Sequence, residues 1–344
     1  MIDFTSALYL GLGHASGDLR PWVRLTTGTP AALRPTPGSA EVGRAVAELQ
    51  GLEAGMTMRS TLHAFWDLLR ILTRDDYAVH VDGAAYPIGI WGAWCARASG
   101  ARVTHFHHYD TDALRRGMNR HRPVILTDGF CPGCGRAAPL VEYAAIASRH
   151  GGLVIVDDTQ ALGVLGSDPT VHGPLGRGGG GTLRALQATG PTVCVASLAK
   201  GFGSPLCVVS GSEPFIARLR AESSTKVHSS QPTSADVASA QRALSINARD
   251  GDALRMRLTA LVSRLRRGLG HERGIPFPAV GLHAPIAHLD ELHARLGRAG
   301  IRTVMSRQCR GPQLSLLVTA RHTRKDIDAV LGVLTASRLA EAVR

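Results

Sequence analysis

The sequence predicts an α/β protein, a large doubly wound, mainly parallel sheet domain followed by a small C-terminal α+β domain. Three observations predict it. Strand-like and helix-like segments alternate from about residue 78 to 210, as expected of a parallel sheet with helices on both faces. Within that stretch Leu153-Val154-Ile155-Val156 is an unbroken, mostly β-branched run, the pattern of a strand buried on both faces. Beyond residue 268 the rhythm changes to two helices and two short strands, which reads as a separate small unit.

Taken in order, the pattern predicts strands over 78–82, 102–106, 123–127, 153–156, 192–198 and 206–210, with helices over 88–98, 111–120 and 139–150 between them. The last of these helices stops at Gly151-Gly152. Residues 167–190 contain Gly178-Gly179-Gly180-Gly181 and read as too glycine-rich for a core element. A long helix is expected over 234–268, with Arg264, Arg266 and Arg267 near its C-terminal end, where they suit the helix dipole. A helix over 289–299, strands over 301–305 and 314–318, and a helix over 326–334 complete the pattern. This divides the chain into an N-terminal segment (1–30), a large domain (31–245) and a small C-terminal domain (246–344).

At 344 residues the chain can bury a sizeable core. Its 44% apolar and 19% charged shares are those of a soluble globular protein. No apolar run reaches the roughly 20 residues of a membrane helix, and Met1-Ile2-Asp3-Phe4 does not open a signal peptide. A cytoplasmic location without membrane contact is expected. The formal charge of +12 reads first as arginine-rich solvated surface, and second as attraction for anionic substrates or cofactors. Nucleic-acid binding is not expected, because aromatics are 5% and no basic-aromatic interleaving is present. The six cysteines do not suggest a disulfide framework in this context. Cys131-Pro132-Gly133-Cys134 has the spacing of a metal, redox or structural turn. A zinc site would need two further ligands, and no second C-x-x-C exists, so no metal is expected.

Two segments carry chemistry. In the first, the buried strand 153–156 runs into Asp157-Asp158-Thr159-Gln160 and a glycine-bearing loop. Open α/β sheets bind ligands beyond the carboxyl ends of their strands, and a carboxylate there needs a cation or hydrogen bonds. In the second, a strand ends in Ser197-Leu198-Ala199-Lys200-Gly201. A lysine so placed becomes a nucleophile when its pKa is lowered. Alone, the first reads equally as a helix cap and the second as a solvated lysine.

Together and in this order they resemble the fold-type-I pyridoxal-phosphate (PLP) transferases of the class I/II aminotransferase superfamily, most closely the α-oxoamine synthase (8-amino-7-oxononanoate synthase-like) group. The resemblance extends to Ile2-Asp3-Phe4-Thr5-Ser6-Ala7-Leu8-Tyr9-Leu10-Gly11-Leu12, to Phe106–Asp110, and to Thr127-Asp128-Gly129 with Ala138-Pro139-Leu140. It implies PLP as cofactor, bound through a Lys200 Schiff base. Asp157 would pair with the pyridinium nitrogen, since a carboxylate there keeps the ring protonated as an electron sink. Asp158 would point to the other face. Ser60, Thr61 and Leu62 fall at the turn that opens a helix toward the cofactor phosphate, where Ser60 also reads as a plain N-cap. Ser197 would add a phosphate hydrogen bond. Arg307 would grip a substrate carboxylate, against the reading of a surface arginine. Ser230, in the turn before the long helix, would reach the phosphate of a neighbouring subunit, which implies a homodimer.

The sequence also departs from the group. Tyr86 and Gln160 stand where the group has its ring-stacking and ring-hydroxyl histidines; Tyr86 can stack and Gln160 can donate a hydrogen bond. Pro132 replaces a serine, and Gln313 and Ser315 stand where arginines are common. The implied activity is α-oxoamine-synthase-like carbon–carbon bond formation between an amino acid and an acyl thioester. The alternative is an aminotransferase using Lys200 for proton transfer, and a non-catalytic PLP-fold protein is disfavoured by the Asp157/Lys200 pair. A dinucleotide oxidoreductase is disfavoured further, because no G-x-G-x-x-G follows a first strand.

Overall fold

The structure is a computed structural model that describes residues 1–271 and 274–335. The last nine residues of the expected C-terminal unit lie outside the described residues. A seven-stranded sheet forms the centre. Its strands, in spatial order, are Ala54–Met58, Cys207–Gly211, Thr192–Ser197, Leu153–Asp157, Arg122–Asp128, Tyr77–Asp82 and Arg102–Phe106. Six run parallel, and Cys207–Gly211 is antiparallel to both its neighbours. The exception follows from its connection. Only residues 198–206 separate it from the preceding strand, too few for a crossover, which takes about a dozen residues or more.

The run at 153–156 is buried on both faces, as its composition predicts. Ile155 joins a core with Phe65 and Leu68 on one side. Val154 and Val156 join another with Tyr143 and Ala147 on the other. The edge strand Ala54–Met58 has no such signature, because Gly55 and two methionines give it little strand propensity. It forms against the helix Ser39–Gln50 through a glycine pair. A Cβ on Gly55 would lie 2.1 Å from the Gly43 carbonyl oxygen, so the two backbones touch.

Three local expectations are corrected. Residues 167–190 do contain a core element, the short helix Gly181–Leu186, whose Thr182 and Leu183 are buried. Its glycine is required: Gly181 has φ 81° and a Cβ there would overlap the Asp158 carboxylate. The helix expected over 111–120 stops at Arg116, since Gly117 follows. The strand expected over 301–305 is two strands. Ile301–Arg302 pairs in parallel with Ile2–Asp3, and Val304–Gln308 turns into a different sheet.

That second sheet is antiparallel, in the order Ala279–Leu282, Gly311–Leu317, Val304–Gln308. Leucines of the helix Ile286–Arg298 and Ile327 and Val330 of Arg324–Thr335 fill its core. The helix Ser234–Gly268 joins the two parts. A capping box between Thr233 and Asp236 starts it. Val237, Ala240 and Ala243 pack with the large sheet's core, whereas Leu258, Leu261, Val262 and Leu265 pack with the smaller one. Between them Arg255, 1% exposed, donates to the Gly163 carbonyl and to Asn247. The loop after Asp157 is thereby tied to the long helix.

Candidate active site

The C-terminal edge of the parallel strands opens into a cavity of about 1150 Å³. Asp157 ends one strand and Asp128 ends its neighbour. The two are register partners, so their carboxyls stand side by side. Both line the cavity together with Lys200, which lies just past the Thr192–Ser197 strand. Burial raises the Asp157 carboxyl above its ordinary value, opposed by hydrogen bonds from Thr159 and by the Lys200 charge. Asp128 is raised further, by burial and then by the charge of Asp157. At Lys200 burial pulls the ammonium pKa down, and Asp157 and Asp128 resist it. A desolvated amine facing carboxylates is suited to act as a nucleophile and to pass protons.

Asp158 lies on the opposite side of the strand end, fully buried, where it accepts the Thr182 N–H at 3.1 Å and the Thr182 hydroxyl. Burial pushes its carboxyl up to about 7. Thr159 donates its N–H to Asp157 at 3.0 Å and accepts the Ser197 N–H at 2.9 Å, binding the two strand ends together.

Of the other sequence-derived residues, Thr61, Tyr86, Gln160, Ser197 and Arg307 also line the cavity. Tyr86 caps the helix Pro87–Ala98, and its N–H donates to Asp128 at 3.0 Å. Its ring centroid is 5.7 Å from Lys200 Nζ. Gln160 Oε1 accepts the buried Tyr9 hydroxyl at 2.9 Å, which leaves the amide N–H groups as its donors. Ser60, Leu62 and Ser230 are not on the lining. Ser60 caps the helix Thr61–Leu72, accepting the His63 N–H and bonding its ring at 2.7 Å. Leu62 is half-exposed on the surface. Ser230 borders a separate small cleft beside Met58 and Arg59. Gln313 and Ser315 bond each other at 2.7 Å inside the small sheet, away from the cavity.

These residues fit PLP. The chain has three lysines, at 200, 226 and 325, and Lys200 alone of them lines the cavity. Asp157 presents a carboxylate to the cavity that would suit a ring nitrogen, and the first residue of a 12-residue helix, Thr61, reaches the wall where an anion is favoured.

Sequence reasoning did not assign roles to Asp128 or Thr159. The signal for Asp128 was present, since the strands at 123–127 and 153–156 both run into aspartates. It also missed what surrounds the C-x-x-C turn. His108 and Cys309 stand against Cys131 and Cys134 at the cavity rim. The hydrogen bond from the Cys131 thiol, and next that of His108, pull the Cys134 thiol well below its ordinary value against burial. Burial opposes ionisation of His108, but Asp82 and Cys134 outweigh it and raise the ring to about 9.

A family model described as aminotransferase class I and II matches residues 16–326. The 8-amino-7-oxononanoate synthase of Halorhodospira halophila is 30% identical over 256 residues, 70% of this chain and 61% of that protein. That of Acidithiobacillus ferrooxidans is 28% identical over 97% of this chain and 87% of its own length. The chain thus spans about three fifths of the first relative and most of the second. Among solved structures, a serine palmitoyltransferase with PLP as its internal aldimine superposes with a TM-score of 0.86 at 19% identity, over 99% of this chain and 88% of that one. The fold, the matched family and a cavity built to hold PLP agree, and the chain belongs to the aminotransferase class I and II family of PLP-dependent transferases.

Proposed function

We propose that this chain joins an amino acid to an acyl group delivered as a thioester, as α-oxoamine synthases do, with PLP held at Lys200. The observation that carries the reading is the pair of Lys200 and Asp157 facing one cavity from adjacent strand ends, in a chain that aligns with 8-amino-7-oxononanoate synthases over most of its length. PLP, when bound, supplies an electron sink for a carbanion at the amino acid's α-carbon. The rest is the work of the chain. Asp157 holds a proton at the ring nitrogen, Thr61 and Ser197 bind the phosphate, and Tyr86 and Gln160 hold the ring by its face and its hydroxyl. Lys200, short of water, moves the α-proton. Arg307 binds the amino acid's carboxylate through its guanidinium fork.

The working unit in this reading is a homodimer. Ser230 lies away from the chain's own cavity, as a residue serving the partner's phosphate must. Three tryptophans, Trp66, Trp91 and Trp94, are 44%, 46% and 55% exposed on two packed helices, an apolar surface suited to burial between subunits. Among the described residues no helix is long and apolar enough to cross a membrane. The six free cysteines suit the reducing cytoplasm, where we place the chain. The test is a screen of amino acids with and without acyl thioesters on PLP-loaded protein. Release of free thiol with a condensed product supports the synthase reading. Accumulation of pyridoxamine phosphate without thiol release replaces it with transamination.

A further inference from the structure

Four side chains that the reaction above does not use converge at the rim of the cavity. The sulfurs of Cys131, Cys134 and Cys309 and a ring nitrogen of His108 all lie within 4.8 Å of one another. Cys131 Sγ is 3.5 Å from Cys309 Sγ, and Cys134 Sγ is 3.5 Å from His108 Nε2. A tetrahedral zinc, with Zn–S about 2.3 Å and Zn–N about 2.0–2.1 Å, sets its ligand atoms roughly 3.5–3.8 Å apart. A disulfide would need about 2.05 Å. We propose that Cys131, Cys134, Cys309 and His108 bind one zinc ion in a closed Cys3His site that fastens the small sheet's hairpin to the wall of the cavity.

The surroundings are those of a built site. His108 Nδ1 bonds Asp82 at 2.7 Å, so Nε2 is the nitrogen that faces the sulfurs. Asp82 is itself 1% exposed and fixed by the N–H groups of Ala84 and Tyr109. A carboxylate behind a histidine is the usual support of a metal-ligating imidazole. The Cys131–Cys134 turn closes through a bond from the Gly135 N–H to the Cys131 carbonyl at 2.9 Å, with Gly135 at φ 69°. Cys309 comes from the other part of the fold, at the two-residue tip between the paired Gln308 and Gly311. The tip and the turn meet at backbone level: a Cβ on Gly133 would lie 2.6 Å from Gln308 Cβ and 3.0 Å from Cys309 Sγ.

Three thiolates and one imidazole in tetrahedral reach select zinc, and four protein ligands leave no open position, so the ion is structural. Its effect on the active site is positional. Ser306, Arg307 and Gln308 line the cavity immediately before Cys309, and a zinc at the hairpin tip fixes that wall. This also gives the C-x-x-C turn a use that the turn alone cannot show, since its other two ligands are far away in sequence.

The experiment is metal analysis of the full-length, untagged protein purified under reducing conditions, with no substrate present, so the result is independent of the reaction assigned above. About one zinc per chain is expected. Cys309→Ser and Cys134→Ser should lose it, while Cys95→Ser, at an exposed cysteine elsewhere, should keep it. Cobalt exchanged into the wild-type protein should show tetrahedral visible bands and near-ultraviolet sulfur-to-metal bands, a readout that stands even where a serine variant fails to fold. Overturning results are a protein that carries no zinc and takes up no cobalt, zinc retained in both serine variants, or a Cys131–Cys309 disulfide in protein isolated without reductant.

Discussion

At Lys200 burial and two neighbouring carboxylates act in opposite directions, and the same three groups determine what single substitutions should do. Asp157→Ala removes a buried carboxylate whose own ionisation burial disfavours. Folding should change little, while turnover with a productive amino acid and thioester should fall about 10²–10³-fold, the usual scale for one preorganised electrostatic partner. Steady-state rates beside a urea melt check this, and near-native turnover removes Asp157 from its role. Asp128 gives a pH prediction. Its carboxyl is raised well above the ordinary value in the fold, so the folded chain holds that proton more tightly than the unfolded one. The cost is absent below the unfolded pKa of about 4 and grows as pH rises, until it levels off above the folded value. Asp128→Asn keeps an oxygen for the Tyr86 N–H and abolishes the titration. In cofactor-free protein it should raise stability at neutral pH, because the asparagine has no proton to lose as pH rises. Denaturation midpoints measured from pH 4 to 8 should fall less steeply than in wild type; equal slopes contradict the account. The positions of Asp157 and Lys200 were legible in the sequence because Asp157 ends a recognisable strand and Lys200 closely follows another, in the expected order. Asp128 was legible only as part of a motif, since its importance comes from register with Asp157.

The helix Ser234–Gly268 was read at its full length and most strands of the large sheet to within a residue. The helix expected over 289–299 begins at Ile286, however, and the strand expected over 314–318 begins at Gly311. The helices Ser39–Gln50 and Glu213–Glu222 were not expected. Nor were the elements formed by close backbone approach. The strand Ala54–Met58 depends on glycine contact with a helix, and no hydrophobic period announces that. The same contact makes Gly55 the position to test. Gly55→Ala places a Cβ against the Gly43 carbonyl, where neither backbone can move aside. It should cost about 1–3 kcal/mol, the range for overpacking, in a denaturant titration. A change under about 0.5 kcal/mol, the ordinary surface value, would mean the edge strand is looser than described. The helix Gly181–Leu186 was missed for the same reason, since its glycine is there to make room for the Asp158 carboxylate.

Across the whole molecule, the alternation of strands and helices made the large sheet legible, and the change of rhythm marked the smaller one. What the sequence left open is what tertiary contact alone brings together, namely His108 and Cys309 against the C-x-x-C turn. Assembly belongs to this scale too. If each cavity takes Ser230 from a partner, mixing Lys200→Ala chains with Ser230→Asp chains should restore part of the activity each lacks. One site of a mixed dimer then has both residues intact. No recovery in dimers verified as mixed, or a protein monomeric at working concentration, contradicts the shared site.

Central to the account is the place where PLP is attached, and three lysines make the answer unambiguous. Lys200 lines the cavity beside Asp157, Lys226 bonds the Arg220 carbonyl, and Lys325 is exposed on the final helix. Borohydride reduction of the PLP-loaded protein, followed by proteolysis and mass mapping, reads the attachment directly. The account predicts a phosphopyridoxyl group on the peptide containing Lys200 and no label in a Lys200→Ala chain. Label on Lys226 or Lys325, or cofactor that washes away after reduction, would contradict it.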